Sequence, residues 1–383
     1  MKNTPLTSNL KVKSLSLIKT GLIVSACFIS GGVMAQDTFK GLENLFSVPE
    51  NYVVKHVAAA PVIDGDINDN IWQQAKWTSD FVDIEGDLKP KPPLQTNIKM
   101  LWDDSCLYVA ARLHDPQVWA RLKNHDDIVF RDNDFELFVD PANTMHSYYE
   151  IEVNALNTIF DLYLNKPYRN GGIAVPGWDA RGLRTAVNVQ GTLNDPKDTD
   201  KGWTVEMAIP FKAINPGFSA AAPHHGTLWR INFSRVQYDT QIQNGQNVKL
   251  KDAVSGRDQP EHNWVWSPQG VINMHYPERW GYLLFSDHSA DDTTFEMPYI
   301  ELQKKYLWLV YYRQQKWYEQ KHQYAQSLKE LNIKSSYNIL KKINNLQLEA
   351  GKHQFMVLIN DEENKINYTI NQDGLVESLN NNF

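Results

Sequence analysis

Between about Tyr52 and Phe285, apolar and polar residues alternate in short runs separated by clusters of Asp, Asn, Gly and Pro. Period-two alternation sends successive side chains to opposite faces of a strand, so the pattern predicts a mainly β fold, an antiparallel β-sandwich. NIKMLW (97–102) and CLYVAARL (106–113), joined by Asp103-Asp104-Ser105, predict a hairpin. Further strands are predicted in DFELFVD, SYYEIEVNA, TIFDLYL, GLRTAVNV, GWTVEMAIP, LWRINFSRV and WGYLLFS. Their inward sets are apolar: Phe135, Leu137 and Val139; Ile151 and Val153; Val205, Met207 and Ile209; Ile231 and Phe233. The opposite faces carry Glu150, Glu152, Asn154, Arg184, Glu206, Arg230 and Asn232. In FRDNDFELFVDP (130–141), Asp134, Glu136 and Phe138 share one such face, which makes it a candidate site.

After Ser286 the pattern changes. Residues 287–297 begin DHSADDTTFE and read as a polar, acidic linker. From about Pro298 to Leu331, Leu307, Val310, Trp317, Tyr324, Leu328 and Leu331 recur at roughly helical spacing. FMVLI and KINYTI, followed by the turn Asn371-Gln372-Asp373-Gly374, predict a small hairpin. The chain is thus divided into a sandwich over 52–286, preceded by a lead-in over 36–51, and a helix-plus-hairpin accessory unit over 298–383. The apolar side of the helix suits docking against a protein partner.

Residues 1–35 have a basic start (Lys2, Lys11, Lys13, Lys19), an apolar run from Leu22 to Ile29, and small residues before a cut after Ala35. This is the make-up of a signal peptide, so an exported protein is expected: periplasmic, secreted or associated with the outer membrane. Val24-Ser25-Ala26-Cys27 also fits a lipoprotein box, with Cys27 as the lipidated anchor. Loss of the leader leaves 34 basic against 45 acidic side chains, a net charge of −11. An acidic domain without a basic run makes a poor nucleic-acid binder, because phosphate neutralisation needs clustered Lys and Arg. Cys106 would be the remaining cysteine, which leaves no disulfide framework, and no other run is long enough to span a membrane.

Three stretches in order resemble carbohydrate-binding module family 9 in its stand-alone exported form: PVIDGDINDNIWQQAKW; MLWDDSCLYVAARLHDP with FRDNDFELFVDP; and GWTVEMAIPF with NWVWSPQGVINMHYPERWGYLLFS. The resemblance covers about Val53 to Ser286. It implies a β-sandwich that recognises an oligosaccharide or polysaccharide, contributing to its catabolism without cutting it. It also implies two aromatic rings that clamp a terminal sugar, and polar side chains that bond its hydroxyls. Glu136 falls on a sugar-contacting acid of the family. The first clamp position is Phe130, and the second lands near Met274 or His275, so the clamp is altered. Glu152 stands where an Arg contact is expected, and Trp178 in GIAVPGWDARGL is a replacement platform. Calcium occurs in the family, and Asp64, Asp66, Asn68 and Asp69 form an oxygen-rich turn that suits either a structural calcium ion or a plain Asx turn.

Sugar rings stack on aromatic planes while acids and amides bond hydroxyls, for which Asp132, Asn133, Asp134, Asn154, Arg184 and Arg230 are further candidates. Without the resemblance, the residues alone fit better a solvated outer face with cross-strand ion pairs. Of the tryptophans, Trp72, Trp77, Trp203, Trp229 and Trp280 lie in or beside strands and read as core. Trp119, Trp178, Trp264 and Trp266 lie in turn-rich contexts where exposure is expected. Two other functions compete. Paired carboxylates such as Glu136 with Glu152, or Asp134 with Glu150, suit a glycoside hydrolase, although a solvated face would deny one of them its raised pKa. Haem-binding relatives of the sandwich suggest Met274 and His275 as axial ligands.

Overall fold

The computed structural model describes residues 38–214, 222–287, 294–361 and 366–380. The predicted leader and Cys27 lie outside the described residues, as do positions 288–293 of the predicted linker. The strands are β1 (Asn51–His56), β2 (Val82–Asp83), β3 (Thr96–Trp102), β4 (Cys106–Leu113), β5 (Asp134–Asp140), β6 (Tyr148–Asn154) and β7 (Ile159–Leu164). They continue with β8 (Ala174–Val175), β9 (Arg184–Gln190), β10 (Gly202–Pro210), β11 (Leu228–Gln237), β12 (Thr240–Gln243), β13 (Gln246–Lys249), β14 (His262–Val265) and β15 (Gly281–Ser286). All but the β12–β13 pair belong to one curled sheet in the order β8-β7-β6-β5-β11-β15-β1-β3-β4-β10-β9, with β14 beside β11 and β2 beside β14.

The sheet closes on the inward sets read from the pattern. Phe135, Leu137, Val139, Ile151, Val153, Val205, Met207, Ile231 and Phe233 share one buried cluster with Trp102, Trp229 and Phe285. Each large apolar side chain buried this way contributes about 1.5–3 kcal/mol, so the core fixes which face of every strand points outward. The antiparallel β-sandwich expected from the pattern is the fold found, with one strand paired parallel. Strand β1 runs parallel to both neighbours, pairing Asn51–Lys55 with Tyr282–Ser286 and then Lys55–His56 with Leu101–Trp102. No hairpin joins β1 to either partner, so it is free to enter parallel where the two layers meet.

Trp72, Trp203, Trp229 and Trp280 are buried as expected, and Trp77 lies under Lys99 and Arg112. Trp119, Trp264 and Trp266, expected at the surface, are buried too. Trp264 belongs to β14, Trp119 packs with Val236 and Tyr238, and the Trp266 ring lies 6.1 Å from that of Phe233.

The tail also differs from its pattern. Its helix spans Tyr299–Lys321 and stops at His322, whose φ of 54° puts it in the left-handed region, instead of continuing to Leu331. In place of a hairpin there is a five-stranded antiparallel meander: β16 (Ser336–Ile339), β17 (Lys342–Ala350), β18 (Phe355–Asp361), β19 (Ile366–Asn371) and β20 (Val376–Asn380). The helix is wedged between this sheet and the sandwich. Gln303 donates to Asn344 Oδ1 at 2.7 Å and the Tyr311 ring meets Phe355 at 6.4 Å on one side. On the other side Tyr311 donates to Asn170 Oδ1 at 2.6 Å, and Glu301 pairs with Arg230 at 2.8 Å. The apolar side expected to suit a partner, with Leu307, Leu309 and Val310 buried, is therefore packed within the chain.

Candidate functional site

Strands β6, β5 and β11 lie side by side, and their register aligns the outward residues. Glu136 faces Glu152 on one flank and Ser234 on the other, while Asp134 faces Asn154 and Phe138 faces Glu150. Because the inward set is locked in the core, these side chains have no alternative but the outer face. The result is a row of four carboxylates, Asp134, Glu136, Glu150 and Glu152.

This face is not the solvated surface that local alternation suggests. All four acids are at most 6% exposed. A second apolar layer of Ile84, Val265, Met274 and Trp280 packs over the neighbouring Phe138, Tyr148 and Leu162. Burial shifts every acid of the row toward its neutral form: Glu136 to about 7 and Glu150 to about 8, with Asp134 and Glu152 also pushed well up. The charged neighbours acting on Asp134 are Glu136, Glu150 and Asp132, all acids, which adds to the effect of burial. Among the described residues, no Lys, Arg or His forms an ion pair with any of the four. Asp134 Oδ1 and Oδ2, Glu136 Oε2 and Ser234 Oγ have no hydrogen-bond partner.

Two half-exposed rings flank the row. Phe130 is 39% exposed and its N–H donates to Glu152 Oε2 at 2.9 Å, so the same acid that faces Glu136 anchors the ring. Its carbonyl accepts from the Tyr238 hydroxyl at 3.0 Å. Tyr168 is 43% exposed, and burial, then Glu150 and Glu152, push its phenol up. Its ring meets His275 edge-on at 4.5 Å, and His275 Nδ1 lies 3.0 Å from the Tyr148 hydroxyl. Burial, then Arg169, lowers the His275 pKa to about 4, so this imidazole is neutral at ordinary pH. Tyr168 was not singled out in the sequence. An aromatic residue within the polar turn KPYRNGG, just after a strand, is the signal that pointed to it.

The structure brings Phe130, Glu136, Glu152 and His275 to one region and takes other predicted residues out of it. Asp132 is buried, and its Oδ2 accepts from the Arg121 and Leu122 N–H groups at 2.6 and 2.8 Å, so it holds a loop. Met274 packs in the layer with Trp280 and Phe138 and offers no ring. Trp178 meets Tyr149, an inward residue of β6, at a tilt of 39° with ring centroids 4.8 Å apart, and so lies on the opposite side of the sheet from Glu152. It is no replacement platform for this row. Asp64 and Asp66 accept the N–H groups of Asp66 and Asn68 at 2.9 and 3.0 Å, the hydrogen bonding of consecutive Asx turns. Glu206 ties that turn down by accepting the Gly65 N–H at 2.7 Å and the Trp72 indole N–H at 2.6 Å. A separate groove of about 920 Å³, lined by Asp80, Glu85, Lys91 and Trp266 among others, shares no residue with the acid row.

The family model described as "Carbohydrate family 9 binding domain-like" matches residues 63–265. Endo-1,4-beta-xylanase A of Thermoanaerobacterium saccharolyticum is 26% identical over 209 residues, which is 54% of this chain and 15% of that protein. Exoglucanase XynX of Acetivibrio thermocellus is 25% identical over 213 residues, 55% of this chain and 16% of that protein. The chain thus spans about a sixth of the length of these curated relatives. Among solved structures, a putative carbohydrate-binding protein from Bacteroides uniformis aligns with 16% identity and a TM-score of 0.46 over 62% of this chain and all of its own. A family 9 module from Caldicellulosiruptor kristjanssonii in complex with cellotriose aligns with 17% identity and a TM-score of 0.38 over 65% of this chain and all of its own. The family model covers more than half of the 383 residues, and the chain belongs to the carbohydrate family 9 binding domain-like family, with carbohydrate binding as its function.

Proposed function

We propose that the domain is an exported, non-catalytic module that holds a glycan against Phe130 and Tyr168, with hydroxyls bonded by Glu136 and Glu152. The observation that supports this is one half-exposed ring tied to the buried acid row, Phe130 through Glu152, and a second beside it, Tyr168, whose neighbour His275 reaches Tyr148 on the strand that carries Glu150 and Glu152. Rings supply stacking for the apolar faces of sugars, and acids supply hydrogen bonds whose net worth is about 1.5–3 kcal/mol when one partner is charged. A row of acids without basic partners favours neutral or cationic glycans over anionic ones.

The same row argues against hydrolysis. Burial does give these carboxyls raised pKa values, contrary to the expectation from a solvated face, but it raises all of them together. A glycosidase needs its two carboxyls pushed apart, one protonated and one ionised, and no cation here holds either one down. For the haem reading, Met274 is enclosed by Trp280 and Phe138. Isothermal titration against neutral, amino and acidic oligosaccharides, including xylo- and cello-oligosaccharides, checks the reading. Heat with a neutral or amino glycan and no reducing-sugar release supports it. No heat with any glycan, or release that disappears in Glu136→Gln, overturns it.

A further inference from the structure

The acid row has no basic partner among the described residues, and the way it is left open has a specific chemistry. Oxygen atoms of Asp134, Glu136 and Glu152 all lie within 4.8 Å of one another, and all three residues are buried. Two oxygens bound to one calcium-sized ion at 2.3–2.6 Å each are separated by at most about 5 Å, so this spacing is that of a shared cation. The other group with comparable spacing, His125, Asp126 and Asp179, is exposed, and its His125 and Asp179 already bond each other at 3.2 Å.

The spacing is backed by a separate observation. Both oxygens of Asp134, fully buried, have no donor in normal hydrogen-bond geometry, and Ser234 Oγ, also fully buried and directly across from Glu136, is directed at that acid without completing a hydrogen bond of normal geometry. Protonation of the row would remove charge but would bring no donor from outside the row to the Asp134 oxygens. A cation supplies both the charge and the missing contacts. The donors are all oxygens, from carboxylates and a hydroxyl, which is the set that selects a hard divalent ion over zinc or copper.

We infer that Asp134, Glu136 and Glu152, with Ser234, bind a hard divalent cation of the calcium or magnesium class beneath Phe130. The site is distinct from the Asp64–Asn68 turn, whose carboxylates are engaged by backbone N–H groups. Metal binding stands on the row alone; that the ion also supports glycan binding rests on the function proposed above, because Glu152 both belongs to the set and anchors Phe130.

The full chain, stripped with chelator and dialysed, is titrated with CaCl2 and separately with MgCl2 by calorimetry, with thermal melting as a second readout. One ion per chain and a raised Tm are expected, with affinity falling about tenfold or more in Glu136→Gln and in Asp134→Asn and unchanged in Glu377→Gln, an exposed control. Circular dichroism confirms folding, and either single variant suffices for the comparison. No ion bound by the parent chain, or binding that both variants retain, overturns the inference. So does binding of glucosamine with neither ion bound, which assigns the missing charge to an ammonium group. Glycan titration of the same samples is a separate readout. Glycan binding without ion binding defeats the cation site and leaves the glycan reading intact, whereas ion binding without glycan binding does the reverse.

Discussion

The outer face of the β6–β5–β11 strip has two ends, and they treat buried acids in opposite ways. At one end Glu301 receives the Arg230 guanidinium at 2.8 Å, Lys304 Nζ at 2.8 Å and the Tyr282 hydroxyl at 3.0 Å. Close by, Glu278 is held by both oxygens to Arg169 at 2.9 Å and accepts the Tyr312 hydroxyl. Burial opposes ionisation of Glu301, yet Lys304 and Arg230 hold its pKa down to about 2. At the other end Asp134, Glu136, Glu150 and Glu152 are similarly buried, pair with no Lys, Arg or His among the described residues, and are all pushed up. Where acids serve the architecture, tying the C-terminal helix to the sandwich, the chain supplies their partners. Where it withholds partners, the glycan and cation proposed above are what would complete the acids.

The sharpest way to break this contrast is at the paired end. Arg230→Met leaves Glu301 buried with only part of its compensation, and a loss of about 3–5 kcal/mol in urea denaturation is expected. A loss under about 1 kcal/mol contradicts the structural role. Next in size are the rings. Phe130→Ala and Tyr168→Ala should each weaken glycan binding by about 0.5–1.5 kcal/mol, read by calorimetry, with little change in Tm.

The two ends also predict opposite responses to pH. Glu301 has a folded pKa below its ordinary 4.5, so its contribution is present above about 4.5 and is lost as pH falls toward 2. In the row, folded values lie above ordinary ones, so stability is greatest below about 4.5 and is lost as pH rises through about 7 and 8. Chelated protein should therefore show a falling Tm between pH 5 and 8, on the order of a few degrees, and Glu136→Gln should flatten that fall. A Tm that rises steadily over the interval rejects the unpaired row. The smallest effect is expected from Trp178→Ala, which leaves glycan affinity unchanged because the ring lies across the sheet.

Strand identities and the inward sets were readable because period-two alternation over a buried face admits one register. Glu136 and Phe130 were reached through family resemblance, and their local sequence places them on and beside β5. What the sequence hid is long-range. The carboxylates looked solvated because nothing in FRDNDFELFVDP shows that Met274 and Trp280 cover the neighbouring face. Trp178 looked like a platform because its loop is polar, yet its ring folds over the inward Tyr149. Tyr168 went unnoticed because a single aromatic in a turn has no period to mark it. The meander at the C-terminus was reduced to a hairpin because SSYNIL and KINNLQLEA carry Asn and Lys among few apolar residues.

A crystal of the chain grown with a bound oligosaccharide tests the central claim most directly. The expected result is a sugar ring stacked on Phe130 or Tyr168 with a hydroxyl within hydrogen-bond distance of Glu136 or Glu152. A sugar seated instead in the groove lined by Lys91 and Trp266, with both rings and all four acids untouched, contradicts it.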